Sequence, residues 1–250
     1  MAGDRWLTFD CYGTIADWNS CMRAALAPAA GSGAALLLSA YHQAELALEA
    51  GPSYQPYRDI LASGLRIAAR RLGIKLDGES EDDSAGERDD REEEDKGGAA
   101  PDADDPAQAF ARAWPDMTLF EDTDPALSTL ADDGWKLAIL TNCDDDLFAT
   151  TAPKFPVTFD VVVTAQQVRS YKPDLGHFRK FEEITGATPE NWIHVANSWV
   201  HDILPASRMG LRSVWVDRDL TGHPAKVADR RITAMRRLPD TVADVSALPA

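Results

Sequence analysis

The sequence predicts an α/β fold, a parallel sheet with helices on both faces and a helical unit inserted after the first strand. Three observations carry this. Short apolar runs (KLAILTN, FDVVVTA, WIHVAN, SVWVDR) alternate with helical patterns through the second half of the chain. Strands buried on both faces read as such unbroken runs. Three or four helical patterns follow the first strand, WLTF, before the next one begins.

Taken in order, Trp6 to Phe9 form the first strand, ending on Asp10. Helical spacing of apolar residues follows at about 18–28, 33–50 and 56–73. The third pattern has Ile60, Leu61, Leu65, Ile67, Ala68 and Leu72 on its apolar face and Gly73 as its stop. A short helix near Ala107–Trp114 ends at Pro115. From there DDDLFATTA, DLGHFRKFEEITG and VHDILPASRMG supply helices between the strands. This order places a catalytic core at residues 1–16 and 116–250 and a helical cap at 17–115.

The net charge of -16 is largely local. Between Asp77 and Pro106, 15 acids face only Arg88, Arg91 and Lys96, with almost no apolar residues. Burial there cannot offset the entropy of ordering, so 77–106 is expected to be a disordered insertion in the cap. Its other reading is an acidic docking segment or weak cation sink, although it lacks the ligand spacing of a calcium loop. Clustered positive charge is absent, which argues against nucleic acid. No apolar run reaches the roughly 20 residues of a membrane span, and no signal peptide is visible. Cys11, Cys21 and Cys143 have no metal-ligand spacing and fit a reduced, cytoplasmic protein as packing residues.

In open parallel sheets, ligands bind outside the carboxyl ends of the strands. Four strand ends here carry polar residues in a telling order: Asp10 and Thr14, then Thr141 and Asn142, then Lys172, then Asn197, Ser198 and Asp202. Each alone fits an ordinary loop or helix cap. An aspartate kept ionised by a lysine is a nucleophile able to form a covalent ester. Thr14 can fix its angle, Thr141 and Asn142 can donate to an anionic group of the substrate, and Asp202 can anchor Lys172 or assist the hydrolytic water.

The motifs FDCYGT, LTN, YKP and VANSWVHD resemble the haloacid dehalogenase superfamily over nearly the whole chain outside the acidic run. DCYGT is most similar to the L-2-haloacid dehalogenase (type II) branch and its uncharacterised relatives. The resemblance implies a Rossmann-like core, an α-helical cap and, by analogy, a homodimer. Superfamily phosphatases carry a second aspartate two residues after the nucleophile, because an alkoxide needs a proton. Tyr12 stands there, and a phenol is a poor acid at neutral pH. A halide departs unprotonated.

Departures from the branch are also visible. Its halide-binding cap arginine corresponds to His42, which can serve if protonated. Phe178 replaces the tyrosine six residues after the lysine, and Asn197 and Trp199 replace a serine and an asparagine. The expected function is therefore hydrolytic dehalogenation of a small 2-haloacid, a small anionic substrate, with no cofactor. The alternative is a Mg²⁺-dependent phosphatase, whose ion would sit on Asp10, the Tyr12 carbonyl and Asp202, with Asn197 in place of one acid. A third reading, a non-catalytic binding protein recruiting partners through its acidic run, has no use for a nucleophile beside an ammonium.

Overall fold

The computed structural model describes residues 3–76 and 105–248. Among these residues, strands β1 (Trp6–Phe9), β2 (Lys136–Thr141), β3 (Val161–Thr164), β4 (Trp192–Ala196), β5 (Arg212–Val216) and β6 (Arg230–Ile232) form one sheet. All pairs are parallel, and the spatial order is β3-β2-β1-β4-β5-β6. This is the doubly wound order, whose direction of winding reverses between β1 and β4 and leaves a crevice at their carboxyl ends.

Alternate strand residues enter opposite cores, as the pleat requires. Leu137 and Ile139 face a cluster with Leu127 and Leu130 of α5 (Thr123–Asp132) and Val242 and Val245 of α10 (Leu238–Ser246). Ala138 and Leu140 face Phe178 and Phe181 of α8 (Gly176–Thr185). Each face of the sheet is therefore covered, and the apolar runs have nowhere to be but inside.

Among the described residues five α-helices intervene between β1 and β2: α1 (Trp18–Ala30), α2 (Ala34–Glu49), α3 (Tyr57–Leu72) and α4 (Ala109–Ala113), followed by α5. Their stops follow local chemistry. Asp17 caps α1 by accepting from the Ser20 amide, and Gly73 ends α3 with φ at 65°, a conformation glycine adopts without a Cβ penalty. Leu37, Leu38 and Tyr41 of α2 and Ile60, Leu61 and Leu65 of α3 join the apolar cluster that reaches the sheet. Asp144, just before α6 (Asp145–Thr151), accepts from the Tyr57 and Arg58 amides at the start of α3. A core loop thus caps a helix of the insertion.

The expected disorder of 77–104 lies outside the described residues. The end of the acidic insertion needs correction. Asp105 belongs to the fold: it pairs with Arg66 of α3, accepts from the Ala107 amide, and offers its carbonyl to Arg112. Two short helices, α7 (Ala165–Val168) and α9 (Leu204–Arg208), complete the core.

Candidate active site

Asp10 leaves β1 next to β4, its amide donating to the Val195 carbonyl at 3.1 Å. The chain then turns tightly. The Thr14, Ile15 and Ala16 amides all point at the Cys11 carbonyl, and Gly13 has φ of 86°, the left-handed region that disfavours any side chain. This turn brings the Thr14 hydroxyl back to donate to Asp10 Oδ2 at 2.7 Å. Thr14 Oγ1 also accepts from the Asn197 amide at 2.9 Å, tying the β1 and β4 loops together.

Lys172 lies between α7 and α8, and its side chain is 1% exposed. Its ammonium donates to Asp10 Oδ1 at 2.9 Å, to the Leu140 carbonyl at 2.8 Å and to Asp202 Oδ1 at 2.7 Å. An ammonium has three protons, so all are used. Asp202 sits in a π-helical turn (Trp199–Ile203) opened by Ser198, whose hydroxyl accepts from the His201 amide. Its Oδ1 also lies 3.0 Å from His194 Nε2.

Burial raises the Asp202 carboxyl, but Lys172 and His194 outweigh it and hold the group at about 2. Asp10 goes the other way. Burial and the neighbouring Asp202 charge lift it above the usual carboxylate value despite Lys172 and Thr14. The Lys172 ammonium pulls the Asp10 pKa down, and burial together with the Asp202 charge outweighs it. Burial also opposes the Lys172 charge, yet the two carboxylates together raise its pKa.

The other sequence candidates divide. Thr141 and Asn142 line the same cavity as Asp10, of about 310 Å³. The Asn142 side-chain amide is engaged within the protein. Its Oδ1 accepts from the Lys172 amide at 2.8 Å, and its Nδ2 donates to the Lys172 carbonyl at 3.0 Å and to Glu49 at 3.2 Å. The Asn197 amide is likewise engaged, with Asp219 and the Arg218 backbone. His42 lines the cavity, but its ring nitrogens lie 3.3 Å from Glu45 Oε2 and 3.1 Å from Asn19 Oδ1. Phe178 is fully buried against Trp192 and His194 and does not line the cavity.

Tyr12 reaches the cavity with its ring edge-on to Trp114 at 4.6 Å. Its hydroxyl accepts from Trp114 Nε1 and lies 3.1 Å from the Thr151 hydroxyl. Burial pushes this phenol well above its ordinary pKa. Cys11 and Cys143 are fully buried, and burial raises both thiols, Cys143 to about 12, as packing residues should be.

The cavity also has a wall the strand-end motifs did not reveal. His42, Glu45, Leu46 and Glu49 of α2 line it together with Tyr57, Trp18 and His201. Positions 42, 45, 46 and 49 share one helical face, a spacing that was available as a signal.

The Mg²⁺ site of the phosphatase alternative would draw on Asp10, the Tyr12 carbonyl and Asp202, whose Oδ2 is buried without a hydrogen bond. Lys172 bridges Asp10 Oδ1 and Asp202 Oδ1 and so already supplies positive charge between the two carboxylates. Asn197 supplies an amide oxygen that already accepts from Arg218. Among the described residues, no group of three or more His, Cys, Asp or Glu is arranged to hold an ion.

A doubly wound sheet with an aspartate, a bridging lysine and a second aspartate at its switch point defines a class of hydrolase. Comparison with known proteins says which. The profile of the haloacid dehalogenase-like hydrolase family matches residues 5–210, and the chain belongs to that family of enzymes. It is 24% identical over 226 residues to an (S)-2-haloacid dehalogenase of Pseudomonas putida, covering 87% of this chain and 86% of that protein. A phosphoserine phosphatase of Thermus thermophilus is 31% identical over 148 residues, 58% of this chain and 59% of the relative. The crystal structure of an L-2-haloacid dehalogenase shares the fold with a TM-score of 0.75 at 22% identity, over 97% of this chain and 100% of that one. Among the described residues, no helix is long and apolar enough to cross a membrane.

Proposed function

We propose that the protein hydrolyses the carbon–halogen bond of a small 2-haloacid. The observation that carries the reading is the Asp10 carboxylate held on one oxygen by Lys172 and on the other by Thr14, beside a Tyr12 phenol unsuited to proton donation. A carboxylate oxygen of Asp10 attacks C2, the carbon–halogen pair leaves with the halide, and an aspartyl ester forms. Water then adds at the ester carbonyl. The Asp10 carboxylate is restored, and the 2-hydroxy acid and a proton are released.

Thr14 and Lys172 orient the nucleophile in this scheme. The anchoring role suits Asp202 better than the basic one, because a carboxylate at about 2 is a weak base. Residues 17–115 act as the cap over the site. A cytoplasmic location and a homodimeric assembly belong to the same proposal.

The curated phosphatase relative keeps phosphate ester hydrolysis as the competing reading. One assay separates them: halide and phosphate release from a matched panel of 2-haloacids and phosphomonoesters, with and without Mg²⁺ and chelator. Halide release that survives chelation supports the proposal. Phosphate release only with Mg²⁺, and no halide from any member, refutes it.

A further inference from the structure

We infer that Glu49, the last residue of α2, is a positioning residue for the nucleophile: through Asn142 it fixes where Lys172 stands against Asp10. The inference rests on Asp10 as the nucleophile of the proposed reaction, not on which leaving group it displaces.

Lys172 is held at both ends. Its ammonium divides three protons among Asp10, the Leu140 carbonyl and Asp202, while its backbone amide and carbonyl both bond to one side chain. Asn142 Oδ1 accepts from the amide at 2.8 Å, and Nδ2 donates to the carbonyl at 3.0 Å. A carboxamide with these two bonds has one N–H left, and Glu49 Oε1 accepts it at 3.2 Å. The carboxylate charge makes this the stronger kind of hydrogen bond. It also selects the orientation of the amide. A flipped Asn142 would set its oxygen against the Glu49 carboxylate and its NH₂ against the Lys172 N–H.

Glu49 is itself fixed. Its side chain is 4% exposed, and its Oε2 pairs with His201 Nε2 at 3.2 Å. His201 directly precedes Asp202, the anchor of the Lys172 ammonium, so the two oxygens of Glu49 reach both supports of the lysine. The residue before Lys172 is braced from the insertion as well, the Tyr171 hydroxyl donating to the Gln55 carbonyl at 2.7 Å. A carboxylate here is costly. Burial raises its pKa, and the Glu45 charge adds to that against the pull of His201 and Asn142. An apolar contact would tie α2 to the core loops without that penalty. What it would not do is aim Asn142. With the amide loosened, the Lys172 backbone drifts and the 2.9 Å contact with Asp10 lengthens; a displacement of about 1 Å at a reacting centre can cost about a hundredfold in rate.

Glu49→Gln and Glu49→Leu separate positioning from a stabilising tie and from contact with substrate. Both remove the charge, and only Gln keeps an oxygen for Asn142. Two readouts are taken on the wild type and both variants: steady-state kinetics with 2-chloropropanoate, and a ¹³C NMR titration of the Asp10 carboxyl in the free protein, assigned with Asp10→Asn. Glu49→Leu is expected to fall about tenfold below Glu49→Gln in kcat, the size of one lost hydrogen bond, with KM little changed. Its Asp10 carboxyl should also titrate at higher pH than in Glu49→Gln, because a loosened ammonium opposes the raised pKa less. Equal kcat and equal titration in the two variants overturn the inference, whatever the melting temperatures do, and leave Glu49 a tie between α2 and the core. A loss confined to KM overturns it too and makes Glu49 a substrate contact. Glu49→Ala carries the same comparison if Glu49→Leu does not fold. If the wild type releases no halide, the dehalogenase reading fails, and the Asp10 titration alone decides the positioning role.

Discussion

Replacing Lys172 with Met tests the centre of the site most directly. The substitution keeps an unbranched apolar stem and deletes one ammonium from between two carboxylates at 2.9 and 2.7 Å, in a place where the side chain is 1% exposed. Breaking a buried ion pair by removing one partner costs roughly 3–5 kcal/mol. Here two carboxylates and a backbone carbonyl lose their donor, so the upper end, about 5 kcal/mol, is expected at neutral pH.

Part of that loss returns if one acid is removed as well. Asp10→Asn with Lys172→Met should be less destabilised than the sum of the single changes, with a coupling of about 0.5–3 kcal/mol. Urea unfolding of the four proteins measures both figures. Catalysis adds an independent reading. Asp10 is already above the usual carboxylate value, and without the ammonium it rises further, so the acid limb of kcat/KM should move to higher pH. Turnover at neutral pH should fall at least about a hundredfold, the effect of losing one preorganised electrostatic partner. A single variant within about 1 kcal/mol of wild type, or an unmoved acid limb, would refute the argument that Lys172 holds Asp10 ionised.

Asp10→Asn should abolish halide release, and single turnover in ¹⁸O-labelled water should place the label in Asp10 of the wild type before it appears in product. The same variant should be more stable than wild type at neutral pH. Because the folded pKa of Asp10 is raised, ionising it in the native state is unfavourable above that pKa, and the gain should vanish below the ordinary carboxylate value. Asp202 predicts the opposite sign: its contribution is present above an unfolded value of about 3.9 and is lost as pH falls toward about 2, which acid titration of unfolding can follow. Excising 78–104 with a short Gly/Ser link should leave folding and turnover intact, whereas Asp105→Ala should lower stability by about 1 kcal/mol through its lost bonds to Arg66 and the Ala107 amide. Tyr12→Asp is expected to give phosphate release no lower than wild type, measured with and without Mg²⁺; a fall would mean the position has another task.

The central sheet was readable because its strands are buried on both faces and so spell themselves in Val, Ile, Leu and Trp. The pieces that escaped lack that signature. β6 is Arg230, Arg231 and Ile232 at the sheet's edge, paired with β5, with the Arg231 guanidinium spent on Asp217. α5 begins Thr-Asp-Pro, which reads as a turn until Leu127 and Leu130 find their core. At the site, Asp10, Thr14, Lys172 and Asp202 could be gathered from sequence because a parallel sheet delivers every strand end to one rim. The pairing of Glu49 with His201 could not, although the helical spacing of α2 puts Glu49 on one face with His42 and Glu45. Glu49 and His201 meet only because α2 comes to rest over the β4 loop, a tertiary fact that spacing within either segment does not contain.

Proximity and availability are different facts, and the strand-end motifs specify only the first. Asn142 sits where a substrate donor was expected, but its amide holds the Lys172 backbone at both ends. The lysine that was to lower the Asp10 pKa divides its protons among Asp10, Asp202 and a carbonyl. Tyr12 lacks a carboxylate, and its hydroxyl is engaged with Trp114 from the insertion and Thr151 from α6. The motif residues are therefore largely occupied with one another, which gives the nucleophile its fixed geometry. The wall of α2 lies outside those motifs, yet it is tied to them: Glu49 accepts from the same Asn142 amide that holds the Lys172 backbone, so the cap helix and the nucleophile's partner are braced through one side chain.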